Sequence, residues 1–242
     1  MQRRFRLSPT LNRRIGQALH DYSMLDDGDR VMIAVSGGVD SLVLAGVLKL
    51  WQKKAPIRFE LTAQIIDHGF WRHHDLGVDP GLSIGEQLKR FSLKYSIDNA
   101  WEMSDDGRTC FQCSRNRRSQ LFDLARKRGY NKIAMGHHKD DLIETFFLNI
   151  LYSGNISTML PRQQLFSGDL SIIRPLAYVE KKELVELSRE LKVSPVANLC
   201  PLEGNTRREK VRILLDSFCR DEVGVKESIF AALANVRQDY ML

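Results

Sequence analysis

The stretch from Val31 to Ser41 constrains this chain more than any other: an apolar run, Val31-Met-Ile-Ala-Val35, passes into Ser36-Gly-Gly-Val-Asp-Ser41 and then into an apolar segment of helical spacing. It reads as a buried strand, a phosphate-binding turn and a helix start. Gly37 and Gly38 let the backbone reach positive φ and bring successive N–H groups close to a ligand. Ser36 and Ser41 add hydroxyls, and the following helix presents the positive end of its dipole. An oligophosphate fits that chemistry. The Walker pattern, Gly-x-x-x-x-Gly-Lys-Ser/Thr, is absent, and no Lys stands at the equivalent place.

Downstream, Asp40 to Leu50 continues as a helix, Phe59 to Ile66 reads as a second buried strand ending at Asp67-His68-Gly69, and Asp79-Pro80 caps a helix running to about Phe91. Leu93 to Ile97 is a third strand, Ser114 to Arg128 a basic helix, and Asn131 to Met135 a fourth strand. Asp140 to Tyr152 is helical, with Leu142, Ile143, Phe146, Phe147, Ile150 and Leu151 on its apolar side. A strand from Leu170 to Ile173 precedes Arg174-Pro175-Leu176, and Glu180 to Leu191 is a helix. The segments 70–79, 153–168 and 194–207 read as loops. This alternation predicts an α/β fold, a doubly wound parallel sheet covered on both faces. The expected organisation is a basic N-terminal segment (1–24), one main domain (25–220) and a tail (221–242).

In such sheets ligands sit beyond the carboxyl ends of the strands. The candidate nucleotide contacts drawn from those ends are Ala34, Ser36, Gly37, Gly38, Asp40, Ser41, Asp67, Gly136, His137 and Arg174. Gly136-His-His-Lys-Asp-Asp141 follows the fourth strand, and Asp140 or Asp141 is placed to hold Mg²⁺, which takes one or two carboxylates together with substrate phosphates. Acids at a helix start also serve as caps. Asp40 is the second metal candidate. His137 and His138 point in different directions from a helix start, which favours polar contact over ligation.

The chain has 242 residues, of which 43% are hydrophobic, enough for a full core. It carries no apolar run of about 18 residues and no leader-like start, so a cytoplasmic location without membrane contact is the expectation. Its net charge is +6, and the basic residues cluster at Arg3-Arg4-Phe5-Arg6, Arg13-Arg14, Arg115-x-Arg117-Arg118, Arg126-Lys127-Arg128 and 207–212. Such clusters suit RNA phosphates as well as a solvated surface.

Four cysteines are too few for a disulfide scaffold. Cys110-Phe-Gln-Cys113 precedes the basic helix, and Cys200 lies in the late loop Asn198-Leu-Cys-Pro201. The pair alone suits zinc, an iron–sulfur cluster or a dithiol. Three thiolates around a [4Fe–4S] cluster leave one iron open to an exogenous group such as sulfide. Cys219, among Ile213, Leu214, Leu215 and Phe218, reads as a core thiol.

The Ser-Gly-Gly-x-Asp-Ser loop resembles that of the ATP pyrophosphatases. With Cys110-x-x-Cys113-Ser-Arg-x-Arg-Arg, Gly136-His-His-x-Asp-Asp, Arg174-Pro-Leu and Asn198-Leu-Cys200, the order is similar to the tRNA 2-thiocytidine biosynthesis family over about residues 25 to 215. The resemblance implies an adenine-nucleotide α-hydrolase-like fold. It implies that Cys110, Cys113 and Cys200 ligate a [4Fe–4S] cluster and that Ser36, Gly38, Asp40 and Ser41 hold the ATP phosphates. It also implies Mg²⁺-dependent adenylation of the C2 oxygen of cytidine 32 in tRNA, followed by attack of cluster-held sulfur and loss of AMP. In catalytic terms the residues are Asp40, Cys110, Cys113 and Cys200. A cysteine desulfurase or inorganic sulfide is the expected sulfur source, and a homodimer is one option for assembly.

Three departures stand out. Val39 occupies a position where this family commonly carries Lys, Ala197 stands where another Cys is frequent, and the zinc modules of related 2-thiouridine 54 enzymes are missing. A ligase or amidating enzyme would use the same loop without needing the three cysteines. A nucleotide-binding protein of the same fold would need neither the cysteines nor the basic helix.

Overall fold

The computed structural model describes residues 7–69, 79–103, 109–196, 206–237 and 239. Among them the elements run α1 (Pro9–Asp21), β1 (Arg30–Val35), α2 (Val39–Gln52), β2 (Glu60–Asp67), α3 (Pro80–Arg90), β3 (Lys94–Asn99), α4 (Cys110–Lys127), β4 (Lys132–Ala134), α5 (Lys139–Ser153), β5 (Arg162–Leu165), β6 (Leu170–Ile173), α6 (Lys181–Glu190), α7 (Arg207–Asp221) and α8 (Val225–Ala232). The chain divides into two compact units, Met1–His138 with Pro161–Leu202, and Lys139–Leu160 with Glu203–Leu242.

The first unit holds the described strands as one sheet in the order β3-β2-β1-β4-β6-β5. β1, β2, β3, β4 and β6 pair in parallel, and β5 joins β6 antiparallel at the edge. Strand alternation explains the two cores. Val31, Ile33 and Val35 of β1 face a large cluster with Ile65, Leu42, Leu44, Ile84 and Leu184. Met32, between them, faces a second cluster with Ile66, Ile133, Leu121 and Ala125, the last two from α4. A strand buried on both faces therefore reads as a continuous apolar run.

Several expectations change here. The loop expected over 153–168 contains β5, whose Arg-Gln-Gln-Leu sequence shows no apolar alternation because it is a half-exposed edge strand. Phe166 and Ser167 turn the chain back into β6 at positive φ (51° and 57°). The N-terminal segment is more than a basic arm, since Leu11, Ile15, Ala18 and Leu19 of α1 are buried in the large core. α4 begins at Cys110 instead of Ser114. Thr109 Oγ1 accepts from Gln112 N at 3.2 Å, and Gln112 Oε1 accepts from Thr109 N at 2.9 Å, closing a reciprocal cap.

A buried charge pair holds the start of β4. Lys132, 4% exposed, places Nζ 3.5 Å from Asp29 Oδ2 and 3.3 Å from Asp26 Oδ2. Asn131 Nδ2 donates to Asp29 Oδ1 at 2.7 Å, and Asp26 N donates to Asp29 Oδ2 at 2.7 Å. Removing one partner strands the other charge in the interior. Lys132→Met is expected to lower the free energy of unfolding by about 3 kcal/mol. Urea denaturation measures it, and a loss below about 1 kcal/mol would show the pair to be energetically idle.

The second unit packs α5 with α7 and α8 around Ile143, Val211 and Leu215, with Phe147, Leu148, Ile229 and Phe230 at its margin. Ion pairs lace it together: Lys139 with Glu227, Arg208 and Arg212 with Glu144. The apolar face expected for α5 is only partly inward, for Ile150 and Leu151 are exposed. The apolar surroundings expected for Cys219 are also corrected. Ile213, Leu214 and Phe218 are exposed, and Cys219 itself is half-buried.

Candidate functional site

Strands β2 and β3 lie on one side of β1 and β4 on the other, so the strand order reverses at β1. The carboxyl end of β1 is therefore the switch point where an open sheet forms its crevice. Ala34 and Val35 end the strand there, and the loop 36–41 follows. Ser41 Oγ donates to Gly38 O at 2.9 Å and accepts from Ser36 N at 3.2 Å, while Ser36 Oγ lies 3.3 Å from Ser41 Oγ. The two serines thus hold the loop shut on itself. Gly37 sits at φ +84°, and a Cβ there would lie 2.7 Å from Ile84 Cδ1. Gly38 is the N-cap of α2 and offers no side-chain cap, which leaves the first N–H groups of the helix for a ligand.

The neighbouring strand end presses on this loop. A Cβ on Gly136 would meet Asp40 C and Ser41 N at 3.0 Å each, so only glycine lets the backbone after β4 approach so closely. Buried Arg174 donates from Nε to His137 Nδ1 at 3.1 Å. Buried His138 brings Nε2 within 3.8 Å of Asp40 Oδ2. Ser36 to Ser41, Gly136, His137, His138 and Arg174 thus converge as the sequence indicated. Asp67, ending β2, accepts from Gly69 N at 2.7 Å and shapes the turn after that strand.

Lys181 joins the site without having been indicated by the sequence. At the first turn of α6 it reaches Asp40, with Nζ 2.7 Å and 2.8 Å from the two carboxylate oxygens. An ammonium at a helix N-terminus works against the helix dipole, and that misplaced charge is the available signal.

Asp140 and Asp141 belong to the second unit. Asp140 Oδ1 accepts from Lys226 Nζ at 2.7 Å, and Asp141 Oδ1 accepts from Arg208 Nη1 at 3.2 Å. Both stand in the first turn of α5, where carboxylates also favour the dipole. Among the described residues no three His, Cys, Asp or Glu side chains converge as a metal site.

Cys110 and Cys113 occupy the first turn of α4, the former exposed and the latter buried. Three residues apart, they lie on one side of the helix. That geometry fits two ligands of an iron–sulfur cluster. Cys200, the expected third ligand, lies outside the described residues. Burial raises the Cys219 thiol pKa above its ordinary value; nearby Lys226 opposes the shift, and Asp216, Asp140 and Glu227 add smaller upward contributions. A thiol held protonated is a poor ligand.

The fold and its loop are those of the PP-loop ATP-utilising proteins, and the PP-loop domain family matches residues 7–215. The tRNA-cytidine(32) 2-sulfurtransferase of Cupriavidus necator is 37% identical across 96% of this chain and 74% of its own length. That of Pseudomonas putida is 39% identical across 96% and 85%. This chain belongs to the tRNA-cytidine(32) 2-sulfurtransferase family of PP-loop proteins. Among solved structures, the U34-tRNA thiolase of Methanococcus maripaludis with its [4Fe–4S] cluster has the same fold, with a TM-score of 0.79 at 20% identity over 96% of this chain and 80% of that one. No helix among the described residues is long and apolar enough to cross a membrane.

Proposed function

We propose that this protein is an ATP-dependent tRNA sulfurtransferase that replaces the C2 oxygen of cytidine 32 by sulfur. The observation that carries the reading is the pairing, in one unit, of a closed phosphate loop at the switch point of the sheet with a cysteine pair at the head of a basic helix. The loop N–H groups and the start of α2 would bind the ATP phosphates, Ser36 and Ser41 keeping the loop in shape. Attack of the base oxygen on the α-phosphate would release pyrophosphate and leave an adenylated base. Sulfur would then displace that oxygen as AMP. Mg²⁺ on Asp40, with Asp140 or Asp141 as further candidates, would neutralise phosphate charge. Cys110, Cys113 and Cys200 would hold a [4Fe–4S] cluster, which would carry exogenous sulfur for transfer. The sulfur source would be a cysteine desulfurase or inorganic sulfide.

Mass spectrometry of tRNA nucleosides tests the reading. A strain lacking the gene should lose 2-thiocytidine and regain it on complementation, and persistence of 2-thiocytidine would overturn the assignment.

The basic helix supplies the RNA-binding surface in this reading. Arg115 and Arg118 are exposed along α4, and Arg117 lies half-buried between them. Neutralising all three should flatten the log–log salt dependence of tRNA binding by about 0.7–0.9 for each phosphate that the helix no longer neutralises. A triple variant with the wild-type slope places the RNA elsewhere.

A further inference from the structure

At about 100° per residue, Arg115, Arg118, Phe122 and Arg126 fall about 140° to 220° around α4 from Cys113, on the side away from the buried thiol. The three arginines are exposed, and among the described residues they enter no ion pair. Cations next to them but off this stripe are paired, Lys127 with Asp123 and Arg128 with Asp98, each at 2.9 Å. Phe111 heads the same stripe, about 22 Å along the axis from Arg126, so the two ends meet a partner separately.

The Arg126 end is built from two elements. The Arg126 guanidinium lies over the ring of Phe166, 4.8 Å from its centre, and Phe122 meets the same ring edge-on with centroids 6.1 Å apart. Phe166 stands in the turn between β5 and β6, 44% exposed, with φ at 51°. Glycine or asparagine would hold that turn without strain. A bulky ring kept there against its backbone preference points to a use. With Arg126 over it and Phe122 at its edge, the ring serves as a support for the guanidinium. A cation held over a ring keeps its N–H edge for a bidentate acceptor, and the acceptor that suits a row of unpaired arginines is a phosphate backbone.

We infer that Arg126, buttressed by Phe166, is a backbone anchor for tRNA at the far end of α4, on the side opposite buried Cys113. This rests on the thiolase reading above and adds to it a docking point away from the reacting nucleotide. Contacts to phosphate fix the register of an RNA without reading its sequence, so the anchor positions the substrate and leaves the choice of base to other groups.

The test uses the full-length protein and a tRNA transcript, with binding measured across a salt series. Arg126→Gln should weaken binding about three- to tenfold and lower the log–log salt slope by about 0.7–0.9. Phe166→Gly, which suits the positive φ of the turn, should weaken binding about two- to fivefold and keep the wild-type slope, because Arg126 still neutralises its phosphate. Phe166→Tyr should bind as the wild type does. Combining Arg126→Gln with Phe166→Gly should cost no more than Arg126→Gln alone, since the ring acts through the arginine. In thiolation assays both single variants should raise KM for tRNA and leave kcat in place. If Arg126→Gln keeps the wild-type affinity and slope while the wild-type protein thiolates tRNA, the anchor is refuted and the thiolase reading stands. A double variant weaker than Arg126→Gln by a further twofold or more would give Phe166 a role of its own and overturn the buttress. If the wild-type protein neither binds nor thiolates tRNA, both readings fall together.

Discussion

Anaerobically reconstituted protein carrying Cys110→Ala, Cys113→Ala or Cys200→Ala is expected to lose its iron and its thiolation activity, whereas Cys219→Ala keeps both. The difference follows from where the thiols stand. Cys110 and Cys113 stand three residues apart on one side of the first turn of α4, whereas burial pushes the Cys219 thiol pKa up. A cluster held by three thiolates keeps an iron for exogenous sulfur, and a fourth cysteine would close it. Iron and sulfide analysis of the four single variants decides the matter. Full iron in the Cys200 variant, or loss of iron in the Cys219 variant, would show that the ligand set is wrong.

The second large effect concerns the loop. Asp40→Asn and Ser41→Ala should each reduce ATP-dependent pyrophosphate release by ten- to a hundredfold or more, since a charge-assisted contact contributes roughly 1.5–3 kcal/mol. Asp40 lies against Lys181 and near His138, so its replacement also removes the charge that holds the Lys181 ammonium at the crevice. Ser41 Oγ joins Ser36 N to Gly38 O, and its removal loosens the loop itself. Both variants should retain the wild-type circular dichroism spectrum, because neither side chain lies in the apolar core. Wild-type pyrophosphate release with saturating acceptor RNA would remove the loop from the mechanism.

The strands buried on both faces are legible in the sequence because their apolar runs are continuous, as in Val31 to Val35. β5 is not, because an edge strand with Gln163 and Gln164 carries no such run and is defined by its pairing with β6. The start of α4 is written in Thr109-x-x-Gln112, a quieter signal than the basic run that follows it. At the crevice, residues adjacent to strand ends are readable one by one, including Gly136, His137 and Arg174. Lys181 escapes because its role depends on Asp40, 141 residues away, a pairing that no local pattern encodes.

The discontinuity of the second unit bears on how deletion experiments should be read. Among the described residues Ile143, on α5, clusters with buried Val211 and Leu215 of α7, with β5, β6 and α6 intervening along the chain. On the ribosome, α5 emerges well before the helix that completes its packing. A protein trimmed before Arg207 would keep every strand of the sheet and the whole phosphate loop, yet it would present Ile143, Phe147 and Leu148 without the α7 residues that they pack against. Inactivity of such a fragment would report aggregation of an orphaned helix, and would say nothing about whether residues 207–232 touch a substrate.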